Sequence, residues 1–204
     1  TEIDSTSYAL GILIGQQNKQ GLEGFPGGSE INIELLSQAF LQFLSGDSTL
    51  MGSEEANEVV GKYFESANNR TSQKNLEEGN AFLEKNKARA GVVTTESGLQ
   101  YEVITEGTGP KPTETDVVKV HYHGTLMDGK VFDSSVDRGE PVEFPVGQVI
   151  PGWIEALQLM PVGSKWKIYI PGALGYGERG AGGDIGPNAV LIFDVELIEI
   201  VSKD

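Results

Sequence analysis

Residues 120–135, VHYHGTLMDGKVFDSS, decide the fold. From Val117 to Leu126 the chain is rich in β-branched and aromatic residues, Asp128-Gly129 is a hairpin dipeptide, and Val131 to Asp133 resumes the extended pattern. Two antiparallel strands joined by a tight turn follow. Downstream, Ser164 to Ile170 alternates apolar and polar residues, and Ala189 to Val201 does the same over a long closing strand. Only Trp153 to Met160 reads as a helix in this half. Several antiparallel strands around one short helix make an α+β arrangement in which the sheet wraps the helix and one helix face supplies a buried aromatic.

Upstream the pattern changes. Pro26 is the only proline before residue 92, whereas eight lie after it, so a boundary is expected near Gly91 between a helical domain over 1–91 and a strand-and-turn domain over 92–204. Ser5 or Ser7 is placed to cap a helix running to about Lys19. Asn32 is placed to cap a second, with an apolar face formed by Ile33, Leu35, Leu36, Ala39, Phe40, Phe43 and Leu44. Ser53 followed by Glu54 and Glu55 opens a third, and no proline interrupts it, so one long helix is expected over about 53–90, with Gly91 at the position after its end. Its length of roughly 57 Å and its polar second half suggest a solvated stalk. Three short apolar faces make a small core, for which dimerisation is the natural remedy; folding back onto the second half is the alternative.

The bulk numbers exclude several roles. A formal net charge of −15 over 204 residues leaves no clustered Lys and Arg for phosphates, so no nucleic acid is expected as partner. No apolar run reaches the roughly 18 to 20 residues of a transmembrane helix. Without cysteine there is neither disulfide nor thiol chemistry. The chain opens at Thr1, so compartment is set by whatever precedes it: periplasm or cell envelope if a leader was removed, cytoplasm otherwise.

Four ordered blocks carry a specific resemblance: VHYHGTLMDGKVFDSS (120–135), VIPGWIEALQLMPVG (149–163), IPGALGYGERGAGG (170–183) and LIFDVELIEI (191–200). Together they resemble the FKBP-type peptidyl-prolyl cis/trans isomerases over residues 95–201. SYALGILIGQQ (7–17), the long helix and the join SGLQYEVITEGTG (97–109) are similar to the dimerising domain of the Mip-like bacterial branch. The resemblance implies a twisted sheet of about five strands curled around a short helix, with a shallow apolar pocket between them. In it Trp153 would form the floor, and Tyr122, Phe132, Val142, Val149, Ile150, Tyr176 and Phe193 the walls. It further implies that Asp133 is the buried polar group at the rim with Arg138 as its partner, and that the Ile150 N–H and the Tyr176 hydroxyl donate to substrate. Arg138, Val142 and Val149, with Ala181 and Ile185 on the loop after Tyr176, are implied as substrate-binding positions. Val142, Ala181 and Asp184 depart from the common pattern and bear on affinity for macrolides such as rapamycin and tacrolimus. The partners implied are proline-containing polypeptides, folding intermediates among them, and a second copy bound through the N-terminal helices.

Elementary chemistry agrees with such a pocket. Rotation about an X–Pro bond faces a barrier of about 18–20 kcal/mol while the two ground states differ by only ~0.5–1 kcal/mol. Catalysis therefore requires no broken bond, and the chemistry calls for aromatics and one or two donors with no cofactor or metal. Taken singly, Trp153 and Phe132 read as plain core, Tyr122 and Tyr176 as half-buried tyrosines, Asp133 as a turn residue and Arg138 as a local partner of Glu140. Gly175 to Gly180 spells GxGxxG, but the Gly-rich stretch after it offers no helix N-terminus to a pyrophosphate. His121 and His123 share a strand face without a third ligand nearby, which favours a structural role. The leading reading is a dimeric prolyl isomerase; a holdase-like chaperone whose pocket is secondary is the other.

Overall fold

The computed structural model describes residues 1–201; the last three residues of the expected 92–204 domain lie outside the described residues. The chain divides into two compact units, Thr1–Thr71 and the residues from Ser72 onward.

The first unit holds α1 (Glu2–Glu23), α2 (Ile33–Ser45) and the opening turns of α3 (Ser53–Lys87). α1 begins earlier than the serine caps suggested. Thr1 Oγ1 accepts the Asp4 N–H at 3.2 Å while the Thr1 ammonium donates to the Asp4 carboxylate at 2.8 Å, a reciprocal cap. The Ser7 hydroxyl instead donates back to the Ile3 carbonyl inside the helix. Asn32 does cap α2, its Oδ1 accepting from the Leu35 N–H at 3.0 Å. Little of this unit is buried. Phe25 meets Phe64 with ring centroids 5.2 Å apart, the Tyr63 hydroxyl donates to the Gly27 carbonyl, and Ala67 is buried beside Gly27. No residue of α1 or α2 is buried, and Phe43 on the apolar face of α2 is 70% exposed.

In the second unit the sheet contains, among the described residues, seven strands: β1 (Val92–Thr94), β2 (Gln100–Thr105), β3 (Val117–Thr125), β4 (Val131–Ser134), β5 (Val142–Pro145), β6 (Lys165–Ile170) and β7 (Leu191–Val201). All pairings are antiparallel, in the order β1-β2-β6-β7-β3-β4. β3 carries β5 along Val117 to Val120 and β4 along His123 to Thr125. The count exceeds five because β1 adds a short strand beside β2 and the other edge is split: Ser134 caps the single turn α4 (Ser135–Arg138), and Gly139 turns the chain with a φ of 82° before Pro141. α5 (Pro151–Leu159) lies against the inner face of the sheet, starting on Pro151, whose missing N–H costs nothing at a first helical position. Alternation along β7 sends Leu191, Phe193, Val195 and Leu197 into that core.

The odd residue out, Ile192, joins Tyr169 and Val190 on the outer face, where Leu83 and Phe82 of α3 cover them. The second half of α3 is therefore not a solvated stalk. Ser72, Asn75, Gly79, Phe82, Leu83 and Asn86 are shielded at helical spacing, and most are too polar or small to register as an apolar stripe. Asn86 Nδ2 donates to Gln100 Oε1 at 2.9 Å, Gln100 Nε2 donates to the Leu83 carbonyl at 2.9 Å, and Arg89 donates to both Asn86 Oδ1 and the Tyr169 hydroxyl. The helix ends at Lys87, so Gly91, with a φ of 89°, serves the turn into β1 rather than the helix cap. Both tryptophans, Trp153 and Trp166, belong to this unit, so tryptophan fluorescence reports its unfolding alone. Asn86→Leu leaves the buried Gln100 Oε1 without its donor and is expected to lower the unfolding free energy by about 1–3 kcal/mol in urea titrations. The exposed neighbour change Lys85→Leu is expected to stay within about 0.5 kcal/mol.

Candidate active site

Five aromatic rings organise a cavity of about 710 Å³ at the inner face of the sheet. Trp153, in the first turn of α5 and only 5% exposed, is its floor. Phe193, Tyr122 and Phe144 approach it near-perpendicularly at centroid distances of 5.1, 5.5 and 5.5 Å, and Phe132 meets Phe193 edge-on at 5.3 Å. Such pairs add about 0.5–1.5 kcal/mol each beyond the area they bury. Two glycines make room. A Cβ at Gly124 would sit 2.7 Å from the Phe193 ring and 2.8 Å from Phe132, and one at Gly152 would strike Ile170 at 2.5 Å.

The rim carries the site's charge. The Tyr122 hydroxyl donates to Asp133 Oδ2 at 2.5 Å and accepts from Arg138 Nη2 at 2.9 Å, while Arg138 Nη1 bonds Asp133 Oδ1. Arg138 also stacks over the Tyr122 ring at 5.7 Å. Burial pushes the Asp133 carboxyl up, but the hydrogen bonds from Tyr122 and Arg138 outweigh it and hold the group below the ordinary carboxylate range. Burial, helped by the bond to Asp133, raises the Tyr122 phenol, and the bond to Asp133 raises Arg138 further above its already high value. The triad is thus ionised as a carboxylate and guanidinium with a neutral phenol between them, and the Tyr122 proton is already committed to Asp133.

Two donors at the cavity are not committed. Among the described residues nothing accepts from the Ile150 N–H or from the Tyr176 hydroxyl, and both residues line the cavity. Ile150 is the residue before Pro151, extended at the mouth of α5, which leaves its amide outside the helix ladder. Tyr176 is 42% exposed on the loop after β6.

The cavity gathers Tyr122, Phe132, Asp133, Val149, Ile150, Trp153, Tyr176, Ala181, Ile185 and Phe193. Two expected residues lie elsewhere. Val142 pairs with Val120 near the start of β5 and is not among the lining residues; two positions on, and so on the same strand face, Phe144 takes the wall. Period-two alternation along β5, with an aromatic at its second inward position, was the signal for it. Arg138 does not line the cavity either, because its guanidinium is spent on Asp133 and Tyr122 from outside the wall. Gln148, Gly182 and Asp184 also line it, and Asp184 is tied to Lys130 of the hairpin turn at 2.8 Å. His121 and His123 bond Ser135 and Ser134 through Nδ1, each at 2.9 Å. Gly175 to Gly180 holds a one-turn 3-10 helix, Gly177–Arg179, and is followed by turns rather than by the α-helix a pyrophosphate needs.

Known proteins share this arrangement. Residues 109–198 match the family described as FKBP-type peptidyl-prolyl cis-trans isomerase, and residues 3–103 match the domain amino terminal to it. The chain is 48% identical to the FKBP-type 22 kDa peptidyl-prolyl cis-trans isomerase of Escherichia coli, over 96% of this chain and 94% of that one. It is 47% identical to the isomerase FkpA of Aeromonas hydrophila (97% and 76%) and 42% identical to the outer membrane protein MIP of Legionella longbeachae (98% and 86%). The crystal structure of FkpA from Escherichia coli superposes with a TM-score of 0.70 at 33% identity, covering 98% of this chain and 97% of that one. With fold, pocket and sequence in agreement along nearly its whole length, the chain belongs to the FKBP-type peptidyl-prolyl cis-trans isomerases.

Proposed function

We propose that the cavity over Trp153 binds an X–Pro segment and lowers the barrier to its rotation, with Ile150 and Tyr176 as the donors to substrate carbonyls. The family activity is prolyl isomerisation, and the proposal concerns which residues perform it. The observation that carries it is the pairing of an aromatic floor with two uncommitted donors at one apolar mouth. As the amide twists it loses resonance, and with it the charge separation on its oxygen, so an aromatic enclosure disfavours the planar form relative to the twisted one. The donors hold the flanking backbone while the prolyl ring sits against Trp153, which turns a free rotation into an oriented one. Asp133 and Arg138 hold Tyr122 in the wall and exchange no proton with substrate. Macrolides of the rapamycin and tacrolimus type are proposed as competing occupants of the same cavity. Tyr176→Phe deletes one neutral hydrogen bond and is expected to lower kcat/KM for an X–Pro peptide about 3- to 10-fold, whereas Phe132→Ala, which opens the wall, is expected to cost more. Rates of Tyr176→Phe and Phe132→Ala equal to wild type would sink the assignment of the pocket.

The same proposal extends to the helical half. Residues 1–91 act as a dimerisation and substrate-gathering domain, apart from the last turns of α3 that pack on the sheet, and 92–204 as the isomerase. Support comes from the apolar faces of α1 and α2, which a single copy leaves uncovered, Phe40, Phe43 and Leu44 among them. A second copy covers them, and folding intermediates bound near them are delivered to the pocket, which adds chaperone action to catalysis. Phe43→Glu is expected to shift the light-scattering mass toward the 21.9 kDa of one chain, keep peptide turnover, and lose acceleration of proline-limited protein refolding. A variant that stays dimeric, or one that loses peptide turnover too, contradicts this division of labour.

A further inference from the structure

The loop that closes one side of the cavity is fastened to α3. Ala181 and Ile185 exchange backbone hydrogen bonds at 2.8 and 3.1 Å, so the loop is a tight excursion, and its base falls at Pro187 and Asn188. Both base residues are held by the helix. Asn75 Nδ2 donates to the Pro187 carbonyl at 2.8 Å, and Asn188 Nδ2 donates to Ser72 Oγ at 2.8 Å. Ser72 and Asn75 are three residues apart, so they share one helix face. One turn further, Gly79 admits Val190 so closely that a Cβ there would lie 2.8 Å from its Cγ2. Asn188 holds a left-handed backbone, φ 55°, and it is the one non-glycine residue to do so among the described residues. Its N–H donates to the Gly177 carbonyl at 2.7 Å, directly beside Tyr176. Hydrogen bonds thus tie α3 through Asn188 to Gly177, the residue after the donor tyrosine, and to Pro187, two residues after Ile185.

We propose that Asn75 and Asn188 are positioning residues for substrate binding: their paired bonds between α3 and the loop base set the loop wall and Tyr176 against the cavity. Leu83, Phe82 and the Asn86–Gln100 network dock the helix further along, whereas the side-chain hydrogen bonds of Ser72 and Asn75 go to the loop base. The proposal rests on the cavity being the isomerase site.

The test uses the full chain carrying Ser72→Ala, Asn188→Gly, their combination, or Asn75→Ala. Peptide isomerisation is resolved into kcat and KM, and thermal unfolding is followed alongside. Glycine accepts the positive φ, so Asn188→Gly removes the side-chain bond without backbone strain. Each single variant is expected to raise KM about 3- to 10-fold, the worth of one neutral hydrogen bond, with kcat within about twofold of wild type. Ser72→Ala and Asn188→Gly break the same bond, so the double variant is expected to match either single one rather than multiply them. Unchanged KM in all four variants overturns the proposal. So does a loss shared equally by kcat that tracks a fall in the unfolding midpoint. Phe132→Ala separates the two levels: if it loses activity while the clasp variants do not, only the positioning role fails; if it too is unchanged, the pocket assignment falls with it.

Discussion

The indole of Trp153 constrains the rest of the catalytic unit. Three rings stand edge-on against it, from β3, β5 and β7, and each must come from a strand that bends far enough around α5 to reach it. That requirement explains the bulge at Ile198 of β7, which faces the step from Lys119 to Val120 on β3, the splitting of one edge into β4 and β5, and the glycines at 124 and 152 where a side chain would intrude. The indole is only 5% exposed and still lines the cavity, so core and cavity meet at one residue. Polar chemistry is confined to the rim, where Tyr122, Asp133 and Arg138 satisfy one another and leave the interior apolar.

α3 gives the unit its second layer. Its last turns cover the outer face of the sheet through Leu83 and Phe82, and its contacts are otherwise made by asparagine, serine and glycine. Hydrogen bonds from Asn75 and Asn86 are directional where apolar packing is not, which suits an element that fixes a loop and a strand at set positions. The first unit follows different physics. Its helices are well capped yet bury almost nothing of their own, so its apolar faces are surface rather than core.

Much of this was legible in the residues. The β3–β4 hairpin announced itself through Asp128-Gly129, and Gly129 indeed takes a φ of 86°. The α+β class followed from one short helix among alternating strands, and most of the cavity followed from four aligned blocks. What escaped shares a cause: it depends on contacts between segments far apart in sequence. Nothing local marks Asn75 as the partner of a carbonyl 112 residues away, and the apolar-stripe criterion discards a buried face made of Ser, Asn and Gly. The family resemblance points to Val142, whereas Phe144, two residues on, is the inward residue of β5 long enough to reach the indole. Arg138 was placed at the substrate because sequence shows its proximity to Asp133 but not the side of the wall on which it lies.

The central claim is that this chain catalyses the rotation itself, and exchange NMR on an X–Pro peptide with substoichiometric protein tests it most directly. Uncatalysed exchange takes tens of seconds or longer, so no cis–trans cross peaks develop at sub-second mixing times. The account predicts that they appear on adding the full chain and grow with its concentration; a peptide that binds, shifting its resonances, yet exchanges no faster would contradict it and leave a binding protein in place of an enzyme.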